Sequence, residues 1–150
     1  GVHRNGRANG KYTVFRRENA PLPGDTGRLP DFRELPEDVD PYPHVWRTPS
    51  ETRPRAVLQA GDFLFVATTP TAVPEEDPHA AYEGRRGGMI QVYSAADGEL
   101  IADYALEHPV VWDGLAAADA RLFVSTTNGR VACYSAAEST TENTTPPSKP

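Results

Sequence analysis

One phrase occurs twice in this chain, and it limits the fold more than any other feature. Leu64-Phe65-Val66-Ala67-Thr68-Thr69, followed after a long insertion by Gly88-Met89-Ile90-Gln91-Val92-Tyr93-Ser94-Ala95-Ala96, returns as Leu122-Phe123-Val124-Ser125-Thr126-Thr127 and then Gly129-Arg130-Val131-Ala132-Cys133-Tyr134-Ser135-Ala136-Ala137. Short β-branched and aromatic runs bounded by glycine turns read as strands, so this is an internal repeat of a two-strand unit. A small antiparallel meander can cover only one of its faces and leaves its edges open, so the copies are expected to stack face to face.

The flanking residues extend each copy to a longer meander. In the first copy, 56–60 reads as a strand, Gly61-Asp62 as a tight turn and 63–68 as its antiparallel partner. A strand at 89–93 follows, then the turn Ala95-Ala96-Asp97-Gly98 and a fourth strand at 99–106, in which Leu100, Ala102, Tyr104 and Leu106 share a face. In the second copy, 110–112 and 115–118 lead to a turn at Asp119-Ala120, then to strands at 122–126 and 130–134 around Asn128-Gly129. A fourth strand does not follow. Residues 136–150, rich in Thr, Ser, Pro and Asn, read as a disordered tail.

Upstream, residues 1–19 hold one strand-like piece, Lys11-Tyr12-Thr13-Val14-Phe15-Arg16, expected to belong to the last hairpin of a preceding unit. Residues 20–54 carry eight prolines and no sustained period, so they read as a proline-rich loop or linker with a weak helical signal at 31–35. Trp46 is its expected anchor, because a large aromatic in a polar loop gains most by docking on the neighbouring core. The organisation expected is therefore 1–19, 20–54, a unit at 55–106 interrupted by an insertion at 70–87, an incomplete unit at 107–135, and the tail. The fold class is all-β.

Composition narrows the chemistry. Fifteen prolines in 150 residues favour turns over helices. A net charge of -6 gives no electrostatic reason to bind nucleic acid or an anionic membrane, and the basic excess before residue 20 reads as a solvated arm. The one cysteine excludes an internal disulfide framework and a cysteine-clustered zinc site. No stretch has the length of a membrane-spanning helix.

Each polar cluster has a bland reading that outweighs a catalytic one. Glu75-Glu76-Asp77 with His79 could face a cation, but a calcium loop alternates its oxygens around a glycine bend, and a solvated loop is preferred. Arg85-Arg86-Gly87-Gly88 could grip an anion; a glycine hinge entering a strand is preferred. Asp113, after Trp112 and before Gly114, could be a catalytic acid at a strand end; a turn or bulge, with Trp112 packed between units, is preferred. Cys133 occupies the slot of Val92 and is expected to be buried and inert. The histidines have no metal-ligand spacing, and no nucleophile elbow is present. No catalytic, cofactor-binding or metal-ligating residue is assigned; Glu75, Glu76, Asp77, Arg85, Arg86 and Asp113 are surface candidates.

The phrases at 88–99 (GMIQVYSAADGE), 113–118 (DGLAAA) and 121–134 (RLFVSTTNGRVACY) resemble the closing blades of propellers built from pyrroloquinoline-quinone-like repeats. The resemblance covers 55–134. Its insertion, with Glu75-Glu76-Asp77-Pro78, Ala81-Tyr82-Glu83-Gly84 and Arg85-Arg86-Gly87-Gly88, is similar to that of large bacterial envelope propellers, notably of planctomycete type. The resemblance implies blades around an axis, the remaining blades of a longer chain as partner, and a periplasmic or envelope location. Propellers close with about four to eight blades, and this chain has residues for two and part of a third, so it is expected to be the C-terminal piece.

Family members include quinone-dependent dehydrogenases, with calcium and in many a disulfide of neighbouring cysteines, as well as non-enzymatic scaffolds. The family repeat also carries a docking tryptophan after a Thr-Gly-Lys turn; the corresponding Asp97-Gly98-Glu99-Leu100-Ile101-Ala102 lacks it. The preferred function is a non-catalytic scaffold without cofactor, for protein or ligand contacts. The alternatives are part of a quinone-dependent dehydrogenase, or a free-standing small β-domain that dimerises through exposed edges.

Overall fold

The computed structural model describes residues 2–4, 12–18, 44–71, 76–80 and 83–135. These residues contain no helix. They form three antiparallel sheets, each a meander in chain order. The first sheet holds β1 (Val2–Arg4), β2 (Tyr12–Arg16) and β3 (Trp46–Ser50). The second holds β4 (Thr52–Ala60), β5 (Phe63–Pro70), β6 (Gly88–Ser94) and β7 (Leu100–Leu106). The third holds β8 (Val110–Ala118), β9 (Arg121–Thr126) and β10 (Val131–Ser135), ordered β10-β9-β8. The protein is all-β, and both copies of the repeated phrase are adjacent antiparallel strands of a meander.

Turn chemistry is strict where the strands meet tightly. Gly61 has φ +58°, whereas Asp119 and Ala120 have φ +50° and +54°, the left-handed pair of a type I′ hairpin that matches strand twist. Asparagine, aspartate and glycine enter that region cheaply; Ala120 does so at a cost.

The central strands β5 and β6 of the second sheet are covered on both faces, which explains why β5 reads as an almost unbroken apolar run. Alternation along the strand sends Leu64 and Val66, with Tyr93 of β6, toward the first sheet, where they meet Val14 and Trp46. It sends Ala67, with Ala56, Ile90 and Val92, toward Val110 and Val124 of the third sheet. Phe65, Ala102, Leu106, Leu115 and Leu122 complete that second core. At roughly 25 cal/mol per Å² of apolar surface removed from water, these two layers are the main stabilising contribution.

Three expectations need correction. The end of the proline-rich segment is not loop, because 46–50 and 52–54 are strand. Pro49 lies in β3 and Pro54 beside a β4 bulge between Pro54 and Ala56, both on sheet edges where a missing N–H breaks no ladder. Cys133 is exposed rather than buried, since it lies on the side of the third sheet that faces away from the second. Trp112 is 65% exposed and is not sandwiched between units. Residues 20–43, the suggested helix at 31–35 and the tail at 136–150 lie outside the described residues.

Candidate contact site

The junction of the first and second sheets is built on Trp46. Its indole lies over Gly98 so closely that a Cβ there would collide with the ring, and Gly98 also needs its φ of +76°. The indole Nε1 donates to the Ala95 carbonyl at 3.1 Å, and Arg16 Nη1 donates to the same oxygen at 3.0 Å. Thr48 Oγ1 donates to the Gly98 carbonyl at 2.8 Å. The turn is shaped to receive them: Asp97 Oδ1 accepts the Glu99 N–H at 3.2 Å, and the Ser94 hydroxyl and that N–H hold the Asp97 carboxyl below its ordinary range.

Deeper in the same junction, Gln91 Oε1 accepts from the Tyr93 hydroxyl at 3.1 Å and from Thr52 Oγ1 at 3.2 Å. Burial pushes the Tyr93 phenol above its ordinary value.

Paired irregularities mark the second junction. Arg55 is the extra residue of the β4 bulge, and β8 loops out between Val110 and Leu115 opposite β9. Arg55 Nη1 donates to the Val110 carbonyl at 3.3 Å, and its guanidinium carbon lies 5.6 Å from the centroid of the Trp112 ring. Arg55 Nε is buried without a partner among the described residues. Asp113 sits in the β8 loop with φ +54° and is exposed. Its geometry is that of a bulge residue. Gly114 is fixed by a close approach, since a Cβ there would lie 2.9 Å from the Ser125 carbonyl oxygen.

In the insertion, Arg85 is engaged within its own loop. It makes a forked ion pair with Asp77, with Nη2 at 2.6 and 2.7 Å from the two carboxylate oxygens, and a further pair with Glu83. The guanidinium hydrogen bonds hold the Asp77 carboxyl below its ordinary range. Gly87 and Gly88 press against the backbone of residues 106–109, so the glycines serve strand entry and close packing. Glu76 and Arg86 are exposed, and Glu75 lies outside the described residues. The structure thus joins Asp77 to Arg85 as a clasp. Among the described residues, no group of three His, Cys, Asp or Glu side chains could hold a metal ion.

The feature missed in the sequence lies on the third sheet. Val124 faces the second sheet and is fully buried, with Leu115 and Ala132 as its cross-strand partners on that face. Ala116, Phe123 and Cys133 are paired across the opposite face, followed by Ser125 with Val131. These are the counterparts of Leu58, Phe65, Val92, Ala67 and Ile90 in the second sheet, where that face lies against the third sheet. In the third sheet no strand among the described residues covers it, and Val131 is 68% exposed. The signal was present in the equivalence of Cys133 and Val92 in the two copies; what the repeat cannot show is whether a neighbouring sheet covers that position.

Comparison of the chain with family models, curated proteins and solved structures finds no match.

Proposed function

We propose that the chain is a non-catalytic scaffold of propeller-type repeat sheets, and that the open face of its third sheet receives a further sheet of the same kind. One observation carries this reading. Phe65, Ala67, Ile90 and Val92 face the next sheet in the stack, whereas of their counterparts Phe123 and Ser125 are half-buried and Val131 and Cys133 are exposed. An apolar patch of this kind is suited to protein contact. Trp46 supports the stacking of the sheets, since it docks on the Asp97-Gly98 turn of the following sheet. An envelope location goes with the resemblance.

Cys133 provides the test, because its thiol lies on the face in question. In this chain alone it should react with a small disulfide reagent at the rate of a free, solvated thiol. In the longest natural reading frame containing the chain, folded protein should react at least about tenfold more slowly, since burial keeps a thiol protonated and unreachable. Equal rates in both would refute the covered face. Oxidation of alcohols or sugars by that protein with added pyrroloquinoline quinone and calcium would replace the scaffold reading with an enzymatic one; none is expected.

A further inference from the structure

Two turns place a short polar side chain before a glycine in the left-handed region: Asp97-Gly98, with φ +76° at the glycine, and Asn128-Gly129, with φ +80°. In the first, Asp97 Oδ1 accepts the Glu99 N–H at 3.2 Å, the Ser94 hydroxyl donates to the same carboxyl, and the Gly98 N–H reaches the Ser94 carbonyl at 2.9 Å. In the second, Asn128 Oδ1 accepts the Arg130 N–H at 3.2 Å and the Thr126 hydroxyl at 2.7 Å, and the Gly129 N–H reaches the Thr126 carbonyl at 3.0 Å. The donors are of the same kind in both turns, a hydroxyl from the preceding strand and the N–H two residues on. Only the group that receives them differs, a carboxylate in one and an amide in the other.

That amide is placed to lose its nitrogen. A glycine after an asparagine has no Cβ to crowd its backbone nitrogen, which can therefore approach the asparagine side-chain carbon with little obstruction. Both residues are exposed, and a Cβ at Gly129 would meet nothing within 4 Å, so the turn is open around the reacting atoms. Both hydrogen bonds of the side chain fall on Oδ1, which draws electron density from Cγ. The Asn128 amide nitrogen makes no hydrogen bond among the described residues, so nothing retains it as a leaving group. Attack needs only the Gly129 N–H to leave the Thr126 carbonyl, a local opening at the tip of a hairpin.

We propose that Asn128 is a site of spontaneous deamidation, and that the folded turn holds the resulting aspartate as it holds Asp97. The Gly129 nitrogen bonds to Asn128 Cγ, the Cγ–Nδ2 bond breaks, and the proton from Gly129 leaves with Nδ2 as ammonia, giving a cyclic imide. Water then opens the imide. Attack at Cγ gives aspartate, and attack at the main-chain carbonyl carbon gives isoaspartate, whose backbone is longer by a carbon. A carboxylate at 128 accepts the same hydroxyl and N–H more strongly than the amide does. The longer backbone disturbs a turn in which the Thr126 N–H donates to the Arg130 carbonyl at 2.9 Å and Ser125 stands opposite Val131. The modification adds one negative charge to the β9–β10 hairpin, and it does not rest on the scaffold reading.

In the test, the full chain is held at mildly alkaline pH and then digested with trypsin, which releases residues 122–130. That peptide should gain the mass difference between an amide and a carboxyl group. A synthetic peptide of the same sequence, treated alongside, shows the mixture formed without the fold. The ratio of aspartate to isoaspartate should be at least about threefold higher in the folded chain, because the products interconvert through the imide and only one fits the turn. Asn128→Asp should melt within about 3 °C of the unaltered chain, since the carboxylate keeps both bonds. Three results would overturn the inference: no mass gain at 122–130 by the time the synthetic peptide has converted, the same product ratio in both, or a larger fall in melting temperature for Asn128→Asp.

Discussion

The indole of Trp46 and the backbone of Gly98 touch across two sheets, with the Trp46 Nε1 proton on the Ala95 carbonyl beside the contact. One partner supplies apolar area and the other the absence of a side chain. Trp46→Ala should cost about 2–4 kcal/mol, combining lost burial with one unmade hydrogen bond. Gly98→Ala should cost more than about 1 kcal/mol, because its φ of +76° and the indole both exclude a Cβ. In urea titrations the double variant should fall short of the sum by at least about 0.5 kcal/mol, as expected for residues in contact.

Val124 and Val131 lie on neighbouring strands of the third sheet, one fully buried and the other 68% exposed. Val124→Ala should destabilise by about 2 kcal/mol through the cavity left against Val110 and Ile90. Val131→Thr should stay within roughly 0.5 kcal/mol. Similar losses at both sites, measured by urea denaturation, would show that the third sheet's outer face is covered in the isolated chain.

Ala120 holds a left-handed conformation in the β8–β9 turn. Ala120→Gly should raise stability by about 0.5–1 kcal/mol, because the left-handed region costs an alanine more than the glycine loses in chain entropy. An unchanged or lower urea midpoint would contradict the turn geometry.

Tyr93 is buried, and its phenol is raised above the ordinary value of about 10. The folded state therefore retains its proton where the unfolded state releases it. The stability linked to this group is complete below the ordinary tyrosine value and is lost as pH rises through the raised one. Stability should thus fall above about pH 10, and Tyr93→Phe should flatten that fall while costing about 1 kcal/mol at neutral pH for the lost bond to Gln91. The check is a pH series of thermal melts.

The sequence alone determined the all-β class, the meanders of both repeat copies and the turns at Gly61 and Asp119-Ala120, because alternation and turn chemistry are local properties readable over a few residues. It also marked Trp46 as an anchor and Asp113 as a bulge residue. The tertiary structure decided what lies on each face. Val92 and Cys133 fill the same slot of the same phrase, yet one is buried and the other exposed, because a third sheet covers the second and none among the described residues covers the third. Likewise, Pro49 and Pro54 signal loop in the sequence, but they fit strands once those strands lie on sheet edges, and edge position belongs to the assembled sheet rather than to the residue.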